Sequence, residues 1–462
     1  MVPTVWQRLT LSQTPLARWR GASVLHWPVG AARAWRQGSW LLRWAQPLGV
    51  LLIGLVVALG PFVSTSLIGV LLIACGGYWG LLTLADDEPA QLTPIHLLVL
   101  AYWGVAAIAV AFSPVPEAAL KGWATLTLYL LFFALAARIL RAPHWRNRTI
   151  ALVLHVSLAV SAYGIRQQSF GVDPRATWTD PDSTLAGTTR VYSFLGNPNL
   201  LASYLLPALA LSLAAVWAWR RWLPKALAAT MTVANASCLY LTDSRGGWIG
   251  MLALVAVFLL LLRYWWNAAL SPFWRRWLLP AATAALAALI LGAVATVEPL
   301  RTRVASIFAW RENSSNNFRI NVWAAVLEMI RDRPLIGIGP GHESFNQIYP
   351  LYQRPNYNAL SAYSVFLEHA VEMGAAGLLA FLWLLATLGA QAQQQLARLR
   401  ATWHPQRWWL MAALAGMAGL LAHGLVDTVW YRPQVNTLWW LLVALVASYA
   451  QPGTGKPRSQ DG

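Results

Sequence analysis

Long apolar runs alternate with short polar connections along the chain, and the run lengths predict its elements. Stretches that as helices would cross a hydrocarbon core, roughly 17 to 25 residues, fall at 47–63, 66–85, 93–112, 119–138, 149–168, 199–219, 226–242, 246–263, 278–297, 374–392, 407–426 and 435–450. Twelve helical spans are therefore expected. The alternation lapses over 169–198 and again over 298–362. In the second lapse, Ser314-Ser315-Asn316-Asn317 is a helix-start signal. Ile320, Val322, Trp323, Val326, Leu327 and Ile330 then recur at helical period and predict an amphipathic helix. Pro334 ends it, and Gly337, Gly339 and Gly341 form a turn before His342-Glu343 that either cradles a phosphate with its N–H groups or is a plain loop. The expected fold is all-α: a polytopic helical membrane protein with a large non-cytoplasmic loop between the ninth and tenth spans. Its parts are a Trp- and Arg-rich interfacial arm (1–46), nine spans (47–297), the loop (298–362), three spans (363–450) and a tail (451–462).

Composition agrees with that reading. Hydrophobic residues make up 58% of the chain and charged residues 11%, with a mean hydropathy of +0.49, which excludes a soluble domain. The net charge of +17 would suggest nucleic acid in a soluble protein. Here the basic residues gather between spans, so membrane topology explains them and no nucleic-acid partner is expected. Clusters such as Arg138/Arg141/Arg146/Arg148 and Arg220/Arg221/Lys225 sit in alternate gaps. That placement puts both termini in the cytoplasm of an inner-membrane protein and the large loop in the periplasm. Thirteen of the seventeen acids, Glu368 and Glu372 among them, then fall outside, so no carboxylate lies deep in a predicted span for a coupling ion to use. His155 and His423 are the titratable side chains within spans, and each reads as a packing residue. Cys75 and Cys238 sit in separate apolar runs and suggest neither a disulfide nor a thiolate site. No His or carboxylate set has metal-ligand spacing, and no cofactor is expected.

Candidate chemistry lies on the outer side. Gly196-Asn197-Pro198-Asn199 is a turn ahead of an apolar helix that Asn199 can cap, leaving a helix N-terminus near Arg190 either for an anion or simply capped. Arg245, in SRGGW, stands where the topology prefers no cation, so it either pairs with Asp243 or holds a ligand. Arg319 opposes the dipole in the first turn of its helix, which points it toward an anionic partner.

SRGGW at 244–248, FRINVWAAVLEMIRDRPLIGIGPG at 318–341 and YSVFLEHAVEMGAAG at 363–377 resemble the O-antigen ligase and polymerase superfamily of membrane glycosyltransferases. Within it, the run from Gly339 to Glu368 is most similar to the IctB-type branch, labelled as bicarbonate transporters of cyanobacteria. The resemblance implies an undecaprenyl-type lipid-pyrophosphate glycan as substrate, or bicarbonate on the IctB label, with Arg245 and Arg319 at the family's arginine positions. It also implies a histidine, then Asn, Ser or Gln, nine residues and Gly-x-x-Gly. Here Tyr363, Ser364, Gly374 and Gly377 keep the spacing, with tyrosine in the histidine's place. Arg190, Asn197 and Ser364 join the arginines as expected binding residues. Tyr363, Glu368 and His342 are the expected catalytic ones, because Glu368 and Glu372 follow Ser364 on one helix face while a phenol of ordinary pKa near 10 is a poor base. His369, one residue off that stripe, reads as packing.

Overall fold

The computed structural model describes residues 4–12, 29, 33–85, 92–171, 190–267, 269–428 and 430–450. Most of the arm before residue 33, the acidic run Asp86-Asp87-Glu88, most of the polar stretch 169–198 and the tail 451–462 lie outside the described residues.

Each of the twelve predicted spans falls on a helix. These are α1 (Ala45–Leu59), α2 (Thr65–Leu84), α3 (Pro94–Ala111), α4 (Pro116–Ile139), α5 (Pro143–Phe170), α6 (Pro198–Ala218), α7 (Trp222–Leu241), α8 (Arg245–Trp266), α9 (Pro272–Thr296), α13 (Val365–Ala401), α14 (Arg407–His423) and α15 (Pro433–Ala447). Between α9 and α13 the loop contributes α10 (Glu298–Phe308), α11 (Ser314–Asp332) and α12 (His342–Ile348). There is no strand among the described residues. Eight helices, α2 to α6, α8, α9 and α13, are long and apolar enough to cross a membrane, and the chain is a multi-pass helical membrane protein. α1 and α15 are apolar but only 15 residues long, while α7, diluted by Lys225, Thr230, Thr232 and Asn235, and the 17-residue α14 fall short.

Local chemistry sets where the helices start. Proline occupies the first turn of α3 to α6, α9 and α15, where its missing N–H costs nothing. Ser244 and Asn313 cap α8 and α11 through their side-chain oxygens. α6 is buried along most of its length and packs against α7, α8 and α14. The spanning window of α9, by contrast, has nothing buried and lies outermost. A Cβ on Gly250 of α8 would sit 2.7 Å from the Gly419 carbonyl oxygen of α14, so these helices meet backbone to backbone, as small residues allow in membranes. That contact sets the start of α8 beside the end of α14.

α13 is a broken helix. At Gly374 the backbone takes φ 64° and ψ −163°, a region essentially restricted to glycine, and the helical ladder lapses. The run after Pro334 fills the gap. Ile338 and Gly339 donate their N–H groups to the carbonyls of Val371 (3.0 Å) and Glu372 (2.8 Å), and Ala375 and Ala376 donate to Pro334 (2.8 Å) and Leu335 (3.2 Å). Backbone groups left unpaired at membrane depth are costly, so an inserted segment must satisfy them. This corrects the phosphate-cradle reading of the glycine-rich turn, whose N–H groups at 338 and 339 are already engaged inside the protein. The predicted span began at 374, at the break, whereas the helix reaches back to Val365. Glu368 and Glu372, expected outside, sit on that earlier part with their helix covered by the loop. A hydropathy window registers their charge but not the loop above them.

The loop has its own small core, in which Val322, Val326 and Met329 of α11 meet Ile338, Phe345, Tyr349 and Val371. The amphipathic helix is therefore present, starting at Ser314, and its buried stripe runs through Val322, Ala325, Val326 and Met329, leaving Leu327 exposed.

Candidate functional site

At one end of the bundle the starts of α6, α8 and α11, helix α10 and the end of α14 converge, and each delivers a charge or an amide. Asn197 caps α6, accepting from the N–H groups of Asn199 (2.8 Å) and Leu200 (3.2 Å). The expected roles of the two asparagines are thus exchanged, because Pro198 takes the first helical position and leaves Asn197 as the cap. Asn199 is the one turned to the charges. It donates to Asp427 (2.6 Å) and accepts from Arg190 (3.2 Å), whose Nε also donates to the Thr242 carbonyl (3.1 Å).

Arg319 donates to the Val426 carbonyl (2.7 Å) and to Ser315 Oγ (2.7 Å), and its Nη2 stands 3.6 Å from the buried Asp427. Asp243, in the left-handed region at φ 54° in the α7–α8 turn, pairs with Arg303 of α10 at 2.9 Å. Asp243 is therefore not the direct partner of Arg245. That guanidinium runs instead to the Ser306 carbonyl (2.9 Å) and the Asn313 side chain (3.1 Å). Burial, then the Arg303 charge, lowers the Arg190 pKa to about 10, and burial also lowers that of Arg303. Asp243 is raised by burial, with Arg303, Arg190 and Arg245 opposing. Set against Asp243 and Asp427, Arg190, Arg245, Arg303 and Arg319 leave the cluster with an excess of two positive charges. Arg303 and Asp427 were not picked from the sequence. The signals available were the basic pair Arg301/Arg303 at the start of the loop and an acid immediately after a predicted span.

Tyr363 stands at the edge of this cluster. The Arg319 guanidinium carbon lies 6.0 Å from its ring centroid, Phe318 packs edge-on at 5.4 Å, and its own backbone adopts φ 50°. Burial, then the Asp427 charge, pushes the phenol above its usual range, so it remains a protonated donor. Ser364 precedes α13 and is buried, but its side chain makes no cap. His423, read as packing, is fully buried under the cluster, with Nδ1 2.8 Å from Ser203 Oγ.

Glu368 and His342 lie elsewhere. They line a cavity of about 350 Å³ between α3, α4, α12, α13 and α15, together with Glu372 and His369. Glu368 accepts from the Ala362 N–H at 2.7 Å. The His342 ring lies 5.6 Å from that of Tyr431, and burial lowers its pKa, leaving a neutral imidazole at pH 7. His369, read as packing, stands 3.3 Å from the Tyr102 hydroxyl with its ring 4.2 Å from that of Phe381, and it also lines this cavity. The expected site thus divides in two. Arg190, Arg245, Arg319 and Tyr363 come together in the cation cluster, Glu368 and His342 in the cavity. Two short segments join the halves: Tyr363 to Glu368, and Asp427 to Tyr431.

Residues 230–382 match the family model described as O-antigen ligase. The match supports a place in the O-antigen ligase/polymerase superfamily. It runs from within α7 to within α13 and so takes in Arg245, Arg303, Arg319, Tyr363, Glu368 and the break at Gly374. Arg190, Asn199 and Asp427, which complete the cation cluster, lie outside the matched segment. No curated protein matches the chain.

Proposed function

We propose that the protein is a membrane glycosyltransferase that takes a lipid-pyrophosphate-linked glycan and transfers or polymerises it. The observation that carries this reading is the two-charge cationic excess at one end of the bundle, built from four arginines on four separate segments. A pyrophosphate carries at least the complementary charge, and guanidinium groups bind phosphate oxygens in bidentate fashion. The cluster end would face the periplasm, where an undecaprenyl-type donor presents its glycan.

In the reaction, an acceptor hydroxyl oxygen attacks the anomeric carbon of the donor glycan. The bond from that carbon to the pyrophosphate oxygen breaks, and its electron pair leaves on the phosphate, where Arg245 and Arg319 stabilise the charge. The hydroxyl proton passes to a base on the cavity side, Glu368 or the neutral imidazole of His342. Tyr363, held protonated, donates a hydrogen bond and does not serve as that base.

Purified protein in lipid should transfer glycan from a lipid-pyrophosphate donor, and Arg319→Ala should lower the rate roughly 10²-fold, the loss typical when one stabilising donor is removed. Equal transfer by both proteins would overturn the site. Bicarbonate flux into proteoliposomes holding this protein alone, without glycan transfer, would instead favour the carbon-uptake label of the IctB-type branch.

A further inference from the structure

The end of the bundle opposite the cation cluster carries another set of arginines. α8 and α14 run from the one end to the other, roughly 30 Å at a rise of about 1.5 Å per residue. Among the described residues, every acid belongs to the cluster, to the cavity and its rim, or to the loop. None lies where the end of α8, the end of α13 and the start of α14 meet.

At that junction Arg407, in the first turn of α14, stacks its guanidinium against three indoles. Its central carbon lies 4.5 Å from the Trp265 ring centroid, 4.6 Å from that of Trp408 and 5.9 Å from that of Trp403. Arg400, at the end of α13, lies 5.0 Å from the ring of Tyr264, the neighbour of Trp265 on α8. Ring faces hold a guanidinium in place and leave its N–H edge free to bind. Arg407 donates Nη1 to the carbonyls of Trp403 (3.0 Å) and His404 (3.2 Å), while its Nη2 has no partner among the described residues. The Arg400 guanidinium donates to none of them. This separates the pair from Arg190, Arg245, Arg303 and Arg319, each tied to protein oxygens, and from nearby Arg398, which donates to the Tyr449 carbonyl (2.7 Å). A first-turn cation opposes the dipole of α14, and Gln406 ahead of it makes no side-chain cap, so an anion here would relieve both.

The class of anion follows from the surroundings. Trp403 is 51% exposed beside the pair, and Trp217, stacked on Trp408, is 39% exposed. Indoles at the ends of spanning helices settle at headgroup depth, and basic pockets between such helices bind anionic lipid heads. A soluble anion has no apolar part to lay on these rings, whereas a phospholipid has its glycerol and upper acyl carbons.

We infer that the junction of α8, α13 and α14 binds the phosphate of an anionic phospholipid head, held by Arg400 and Arg407 and flanked by Trp403. The site is independent of the proposed glycan chemistry. The topology expected from the sequence puts it in the inner leaflet.

The test is lipid binding to the purified full chain in dodecyl maltoside, titrated with dioleoylphosphatidylglycerol and, separately, with dioleoylphosphatidylcholine. Native mass spectrometry counts the bound lipids. The first phosphatidylglycerol is expected to bind at least about tenfold tighter than phosphatidylcholine. Arg400→Gln should weaken it about fivefold, the contribution of one arginine beside an anionic head, and Arg400→Gln with Arg407→Gln should weaken it further. Arg148→Gln, which removes an exposed arginine at the same end but on α5, should leave it unchanged. If the protein carrying Arg407→Gln does not fold, Arg400→Gln decides alone, because that side chain packs on a single exposed tyrosine. Equal affinity for the two lipids or indifference to Arg400→Gln would overturn the inference. So would an equal loss in Arg148→Gln, which would mark a diffuse field, or displacement of the lipid by inorganic phosphate, which would mark a soluble anion's site.

Discussion

Tyr363 is where the chemistry of individual side chains is most exposed to test. Its phenol is held protonated by burial and by Asp427, so it contributes a hydrogen bond and no titration across the working range. Tyr363→Phe should lower the transfer rate several-fold without moving the pH profile. Tyr363→His should add a new pH-dependent limb between about pH 5 and 8, where imidazoles titrate. A Phe variant whose profile shifts would show that the tyrosine does proton chemistry after all. His342 gives the complementary prediction. Its pKa is lowered by burial, so the neutral form persists below the ordinary value of 6.5, and protonation as pH falls removes its ability to accept a proton. If it is the base, the acid limb of the rate profile lies below pH 6.5 and disappears in His342→Gln, whereas Glu368→Gln is the variant that removes the limb if the carboxylate acts. Arg245 and Arg319 were legible as candidates because each stood where topology or helix dipole disfavoured a cation, and Arg190 because it lay close to a helix start. Their partners were not. Asp243 lies two residues from Arg245 in sequence but pairs with Arg303, sixty residues away, and only the packing of α10 against the α7–α8 turn brings them together.

Among the elements, the break in α13 is the feature on which the most structure depends. Gly374 occupies a glycine-only conformation, and a Cβ there would lie 2.3 Å from the Leu335 carbonyl carbon. Gly374→Ala should therefore destabilise the protein by about 2 kcal/mol or more, read as a lowered midpoint of thermal unfolding in detergent. Gly292→Ala on the outermost helix α9, where nothing lies within 4 Å of the added methyl, should leave it unchanged or slightly raised. Equal effects from the two would remove the argument for the break. Hydropathy located α13 but not its true start, because Glu368 and Glu372 interrupt the apolar run while the inserted loop covers them. The glycines at 337, 339 and 341 were visible as a turn. That they mend a helix thirty residues on was not, since nothing local in the sequence records which carbonyls need donors.

For the whole molecule, the alternation of apolar runs and polar gaps was enough to place twelve helices, since period and length are local properties. It did not show that the cation cluster and the acidic cavity are neighbouring halves of one face, which follows from long-range packing. The same alternation makes a prediction about orientation. With Cys75 and Cys238 both fully buried, single cysteines at the exposed Leu351, in the loop, and Trp222, at the start of α7, report the two faces without background. A membrane-impermeant thiol reagent applied from the periplasmic side should label Leu351→Cys and not Trp222→Cys; the reverse pattern would invert the topology. The claim on which the function rests is that the arginine cluster holds pyrophosphate, and the most direct measurement is binding of undecaprenyl pyrophosphate to the purified protein in nanodiscs. Saturable binding weakened at least about tenfold in Arg245→Ala and in Arg319→Ala is the predicted result. Binding of equal strength in the native protein and both variants would contradict it.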